Sequence, residues 1–276
     1  MSIRNILVAY NGTETADRAV HLAATIAGRR DAHLTAIFAH TIPATHVQLE
    51  FYVPAASLDV MEQHERETEA NVKEKFAALI EQVDPTLRTD FLAVRGFPND
   101  ALAEYARTYD LIVVGQPTGE AGSQYFEPNP DVIALQSGRP VLVAPRGSDQ
   151  MLLSRDAVVA WDGRRAAARA LSDAMGILEG EDKVTVLHVG RDDAAVRAPG
   201  RDVMQYLSRH GIHANLSVQP PGSLPISDII LNACAESGAG LLVMGAYEHS
   251  RFSEMLLGGV TREVVQRAHV PILMSH

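Results

Sequence analysis

The chain has one cysteine, one tryptophan, and fewer basic than acidic side chains, 24 Lys and Arg against 34 Asp and Glu. A lone thiol cannot close a disulfide within the chain, so the bridged framework of small secreted domains is excluded. Cys234 sits in a stretch that reads as an apolar helix, where a thiol behaves as a small buried hydrophobe. A formal net charge of -10, with no basic stripe, argues against a nucleic-acid partner. No apolar run is long enough to cross a bilayer, so no membrane partner is expected. The opening M-S-I-R-N-I-L-V-A-Y is a strand pattern without the layout of a signal peptide. The expected location is the cytoplasm.

Several chemical signatures are missing as well. No G-x-G-x-x-G follows a strand pattern, which removes the dinucleotide fingerprint, and no G-x-x-x-x-G-K-[ST] occurs. No His or Cys spacing suits a metal, and no nucleophile and base stand in a convincing pair. His249 and Ser250 adjoin each other, but adjacency says nothing of geometry, and a surface loop accounts for them.

What the chain does contain is a repeat. Residues 3–12 (I-R-N-I-L-V-A-Y-N-G) match 154–163 (S-R-D-A-V-V-A-W-D-G), and 34–40 match 184–190. D-L-I-V-V-G at 110–115 matches G-L-L-V-M-G at 240–245, and 139–145 match 270–276. Four apolar segments in one order imply a duplicated domain, with the boundaries set at residues 1–147 and 152–276. The runs are nearly continuous, as strands buried on both faces are. Helical spacing lies between them, with Val72, Phe76, Leu79, Ile80 and Val83 on one stripe and Ala101, Leu102, Tyr105 and Ala106 on another. Alternating strands and helices predict right-handed crossovers and a five-stranded parallel α/β sheet in each half. The last runs, Val141 to Ala144 and Ile272 to Ser275, would be exposed edges unless they met, so the halves are expected to pack as an internal pseudo-dimer. Further homodimer formation is left open.

In such sheets ligands sit beyond the carboxyl ends of the strands. There the first half has Tyr10-Asn11-Gly12 and the second Trp161-Asp162-Gly163. Asp162 either accepts hydrogen bonds from a base or ribose, or only shapes the turn and caps the next helix. Further on, Gly258, Gly259, Val260 and Thr261 precede a helix and offer N–H groups to an anion. Counted back 131 residues, they fall on Glu127-Pro128-Asn129-Pro130, where two prolines lack the donor. Any anion site of this kind belongs to the second half alone.

The spacing Gly245-Ala246-Tyr247-Glu248, nine residues, then Gly258-Gly259 resembles the nucleotide signature of the universal stress protein family. V-A-W-D-G, V-L-H-V, L-L-V-M-G and G-G-V-T-R-E-V-V-Q-R-A-H-V-P-I-L are similar to that family too, so both halves are covered and the chain resembles a tandem member. The resemblance implies a flavodoxin-like fold of the adenine nucleotide alpha hydrolase-like kind, in a family with ATP-binding and non-binding groups. It also implies that Ala160 and Asp162 border adenine and ribose, Val189 packs on the base, and Met244 and Gly245 lie beneath the nucleotide. Gly258, Gly259, Val260 and Thr261 would cradle phosphates. Two positions depart from the signature: Glu248 stands for its second glycine, adding bulk and charge, and Gly259 stands for the usual Ser or Thr. Three functions remain open. They are a non-enzymatic stress or signalling protein holding ATP or an AMP-like ligand, with magnesium undecided; a ligand-free interaction scaffold; and a slow nucleotide hydrolase using Glu248 or His249 as base. The residues leave open the stress served, the protein partners, and the part played by the apolar segment 41–58.

Overall fold

A computed structural model describes residues 3–40, 55–119, 127–147, 155–190, 194–246 and 259–276, with backbone alone for 55–58 and 194–199. The first half runs β1 (Asn5–Ala9), α1 (Glu14–Arg30), β2 (His33–His40), α2 (Ala55–Val83), β3 (Thr89–Arg95), α3 (Pro98–Tyr105), β4 (Leu111–Gly115), α4 (Pro130–Ser137) and β5 (Val141–Ala144). The second runs β6 (Asp156–Ala160), α5 (Arg165–Leu178), β7 (Lys183–Val189), α6 (Ala194–Arg209), β8 (Ala214–Gln219), α7 (Ile226–Ser237), β9 (Leu241–Gly245), α8 (Val260–Arg267) and β10 (Ile272–Ser275). The ten strands form one sheet in the order β3-β2-β1-β4-β5-β10-β9-β6-β7-β8. Pairing is parallel within each half and antiparallel only where β5 meets β10.

That joint puts Leu142 opposite Leu273, flanked by Val143–Ile272 and Val141–Met274. All six side chains are at most 1% exposed. Burying an aliphatic side chain contributes roughly 1.5–3 kcal/mol, so two separated halves would each lose a strip of core along with an unpaired edge. The expected meeting of the two last strands is therefore present. Side chains alternate across the pleat, so Leu142 and Leu273 face one core, with α1, α2, α5 and α6, while Val141, Val143 and Ile272 face the other, with α3, α4, α7 and α8. Each core draws on both halves.

Local sequence explains the helices. In α1, Glu14 and Asp17 stand in the first turn and Arg29 and Arg30 in the last, matching the helix dipole. Its chain leaves through Asp31 in the left-handed region (φ 50°), a conformation open to Asp. Val72, Phe76 and Ile80 of α2 are buried as their spacing requires, with Leu79 and Val83 packed beside them. The second stripe needs correction. Ala101, Leu102 and Ala106 are buried, but Tyr105, the last residue of α3, is 43% exposed. The segment 41–58 lies outside the described residues, apart from the backbone of α2 from Ala55 onward.

Candidate functional site

β6, β7 and β9 end together in the second half, and α5, α7 and α8 close around those ends. The result is a cleft of about 230 Å³. Ala160 and Asp162 follow from β6, Val189 ends β7, Met244 and Gly245 end β9, and Val260 and Thr261 open α8. These seven sequence candidates line one cavity. Gly259 is the N-cap of α8 with extended backbone (φ -65°, ψ 150°) and no side-chain cap bond, so the first N–H groups of the helix are not consumed by a capping side chain. Glu248 and Gly258 lie outside the described residues, as do His249 and Ser250.

Two assignments are refined by geometry. Asp162 accepts a hydrogen bond from the Arg164 N–H at 3.0 Å, and Asn11 takes the Thr13 N–H at 3.2 Å in the first half. Both residues therefore shape the turn into the following helix. Gly245 is glycine for a packing reason, since a Cβ there would lie 2.7 Å from the backbone of Ala166 and Ala167. Gly115 is equally tight, 2.5 Å from the Thr15 carbonyl oxygen. The glycine shared by both halves thus lets the first helix of each half lie on its fourth strand, whatever either half binds.

The cleft also uses residues that sequence reading passed over. Leu187 of β7 supplies apolar wall, and Trp161 and Arg164 border the β6 turn. Ile226 and Ile230 come from α7, one helical turn apart, which is the signal that could have revealed them. Helix α7 is fixed to α8 by Ser227, whose hydroxyl donates to Glu263 at 2.5 Å, and by Asp228, which pairs with Arg267 at 2.5 Å. Behind the wall, burial pushes the Cys234 thiol up to about 12, which removes it as a nucleophile near neutrality. Among the described residues no group of three or more His, Cys, Asp or Glu could hold a metal.

The first half is narrower at the matching place. Its cleft measures about 30 Å³, close to the room one water needs. Glu127 and Pro128 line it, and the Glu127 carboxylate accepts from both the N–H and the hydroxyl of Thr118 at 3.0 Å. The helix bounds also correct the internal register. Pro130 opens α4 and Val260 opens α8, so Gly259 and Thr261 match Asn129 and Asp131, one residue on from the count of 131. The extra residue of the second half follows its helix, before β10, instead of preceding it. Pro128 and Pro130 still face the comparison, so the loss of donors stands.

The tandem α/β sheet, with a cleft at the strand ends of one half, defines the class of protein. The model of the universal stress protein family matches residues 2–145 and 223–276, and the chain belongs to that family. A universal stress protein of Synechocystis sp. (strain ATCC 27184 / PCC 6803 / Kazusa) is 23% identical over 184 residues, covering 64% of this chain and 62% of the relative, so the match spans less than two thirds of that protein. A universal stress protein structure from Archaeoglobus fulgidus DSM 4304 superposes with a TM-score of 0.74 at 17% identity, covering 98% of this chain and 95% of the other. A functionally unknown protein of Pseudomonas aeruginosa PAO1 gives 0.60 at 16% identity, covering 99% and 92%. These likenesses establish the fold.

Proposed function

We propose that the protein is a non-enzymatic stress-response or signalling protein that binds one adenine nucleotide, ATP or AMP, in its second half. In this reading the two domains span residues 1–147 and 152–276 and work in the cytoplasm. Among the described residues no helix is long and apolar enough to cross a membrane. The carrying observation is the contrast between two clefts of common origin, about 230 Å³ in one half and about 30 Å³ in the other. The larger approaches the roughly 300 Å³ at which pockets hold drug-sized ligands, and the smaller does not.

The residues present suit such a ligand. Leu187, Val189, Met244 and Ile226 offer apolar surface to a base. Asp162 spends one carboxylate oxygen on its turn and keeps the other for a ribose hydroxyl. Gly259, Val260 and Thr261 present the start of α8 to an anion, where N–H groups and the helix dipole favour negative charge. The nucleotide would add recognition by charge and shape, and no bond need be made or broken. Mass spectrometry of small molecules released from the purified protein tests this reading. An adenine nucleotide near one equivalent per chain supports it, and product formation above the spontaneous rate would transfer the role to a hydrolase.

A further inference from the structure

A second cleft, of about 370 Å³, shares no lining residue with the first. It lies where the two halves meet. Ile26 and Arg29 of α1 and Leu142 of β5 come from the first half, while Ile177 of α5, Glu181 and Leu241 come from the second. The duplication explains the position. Starts of α1 and α5 are 151 residues apart, and at that offset Ile26 and Ile177 are equivalents facing each other across the joint. Leu142 beneath them belongs to the central strand pair.

Charge breaks the symmetry. Where the first half has Arg29 and Arg30, the second has Gly180 and Glu181. Arg30 is committed, donating across the joint to the Gly176 carbonyl. Arg155, also on the rim, donates to the Gly180 carbonyl and lies 3.5 Å from Asp182. Arg29 is exposed and makes no hydrogen bond or ion pair among the described residues. Glu181 is half-buried. Burial raises its pKa, Arg155 and Arg29 act against that, and Asp182 and Asp156 add to it. The cleft lining thus joins an aliphatic wall to three guanidinium groups and one carboxyl, with Asp182 paired to Arg155 and Asp156 acting on Glu181 from nearby, which leaves Arg29 as the lining cation without an ion pair or hydrogen bond among the described residues.

We propose that this inter-half cleft binds a small amphipathic monoanion, an acyl or aryl carboxylate, with its apolar body between α1 and α5 and its carboxylate on Arg29. An aliphatic wall open to water gains by covering apolar surface. An exposed guanidinium at the rim with no hydrogen bond of its own among the described residues gains a charge-assisted pair with a planar carboxylate. Glu181 sets the limit on charge, because a dianion would meet a carboxylate in the same cleft. Since both halves supply the wall, the ligand would stabilise the joint.

The probe is sodium decanoate, titrated into the full chain by calorimetry below its micelle concentration, with decyltrimethylammonium as the cationic counterpart. Expected results are one decanoate site per chain, no comparable uptake of the cation, and a raised melting temperature. Arg29→Gln should weaken decanoate by about tenfold or more, and Glu181→Gln should tighten it, both on chains whose circular dichroism is unchanged. Val260→Trp, which fills the other cleft, should leave decanoate binding intact. The proposal is overturned by no decanoate binding up to about 1 mM, by equal uptake of the cation, by an unaffected Arg29→Gln, by weaker binding in Glu181→Gln, or by loss of the site in Val260→Trp.

Discussion

Gln116→Leu should destabilise the whole chain and also loosen the second-half cleft, although Gln116 belongs to the first half. Its side chain is 3% exposed. The amide donates to the carbonyl oxygens of Val265 at 2.6 Å and Ala268 at 3.2 Å, and its own oxygen accepts from the Arg146 N–H at 2.7 Å. Those two carbonyls close the last turn of α8, where no helical N–H remains to meet them. Gln116 is thus a C-terminal cap supplied by the other half. Leucine keeps the volume and removes the donors, leaving two buried carbonyls without a partner at about 1–2 kcal/mol each, or about 2–4 kcal/mol together. For a chain of this size the melting temperature should fall by roughly 5–15 °C. Because α8 begins with the Val260 and Thr261 of the candidate site, AMP affinity should fall too. The assay is thermal unfolding followed by circular dichroism, with Gln63→Leu on the exposed face of α2 as control, expected to shift stability by less than about 0.5 kcal/mol. A fall below about 2 °C in Gln116→Leu would refute the capping argument, since water would then be serving those carbonyls equally well.

Three further outcomes follow from the same geometry. Gly245→Ala forces a Cβ against the Ala166 and Ala167 backbone, and should cost about 1–3 kcal/mol in urea unfolding by displacing α5. Gly259→Pro fits the existing φ of -65° and deletes one N–H, so the fold should survive while ATP binding weakens by about tenfold or more and adenosine, which lacks phosphate, keeps its affinity. Glu181 has a raised folded pKa, so its stabilisation is complete below the unfolded carboxyl pKa and is lost as pH rises through the folded one; Glu181→Gln should therefore be the more stable protein at neutral pH and lose that advantage in acid, as chemical denaturation across pH will show.

The strands of the central sheet were legible because they are buried on both faces and read as continuous apolar runs. β3 and β8 were not, since they form the two outer edges and their side chains are half-exposed with no clear alternation. Pairing of β5 with β10 could be inferred because neither short run had another place to be buried. The candidate cleft was legible at Asp162 and the start of α8 from their places after the strands, and at Ala160, Val189, Met244 and Gly245 through the family resemblance. Its α7 wall was missed, because Ile226 and Ile230 look like any amphipathic pair until the fold brings α7 over β6 and β7. Gln116 was invisible for a stronger reason: its partners lie 149 and 152 residues away, and no local pattern announces a cap delivered from another domain.

The central claim is that one half of a duplicated chain holds a nucleotide in its cleft and the other, whose narrower cleft is lined by Glu127 and Pro128, does not. It is tested most directly by calorimetric titration of the intact chain with AMP and ATP, beside Val260→Trp, which blocks the second-half cleft, and Pro128→Gly, which relieves the first. The account predicts a single site in the parent chain, its loss in Val260→Trp, and no second site in Pro128→Gly, where Pro130 and Glu127 remain. Two equivalent sites in the parent chain, or undiminished binding by Val260→Trp, would contradict it.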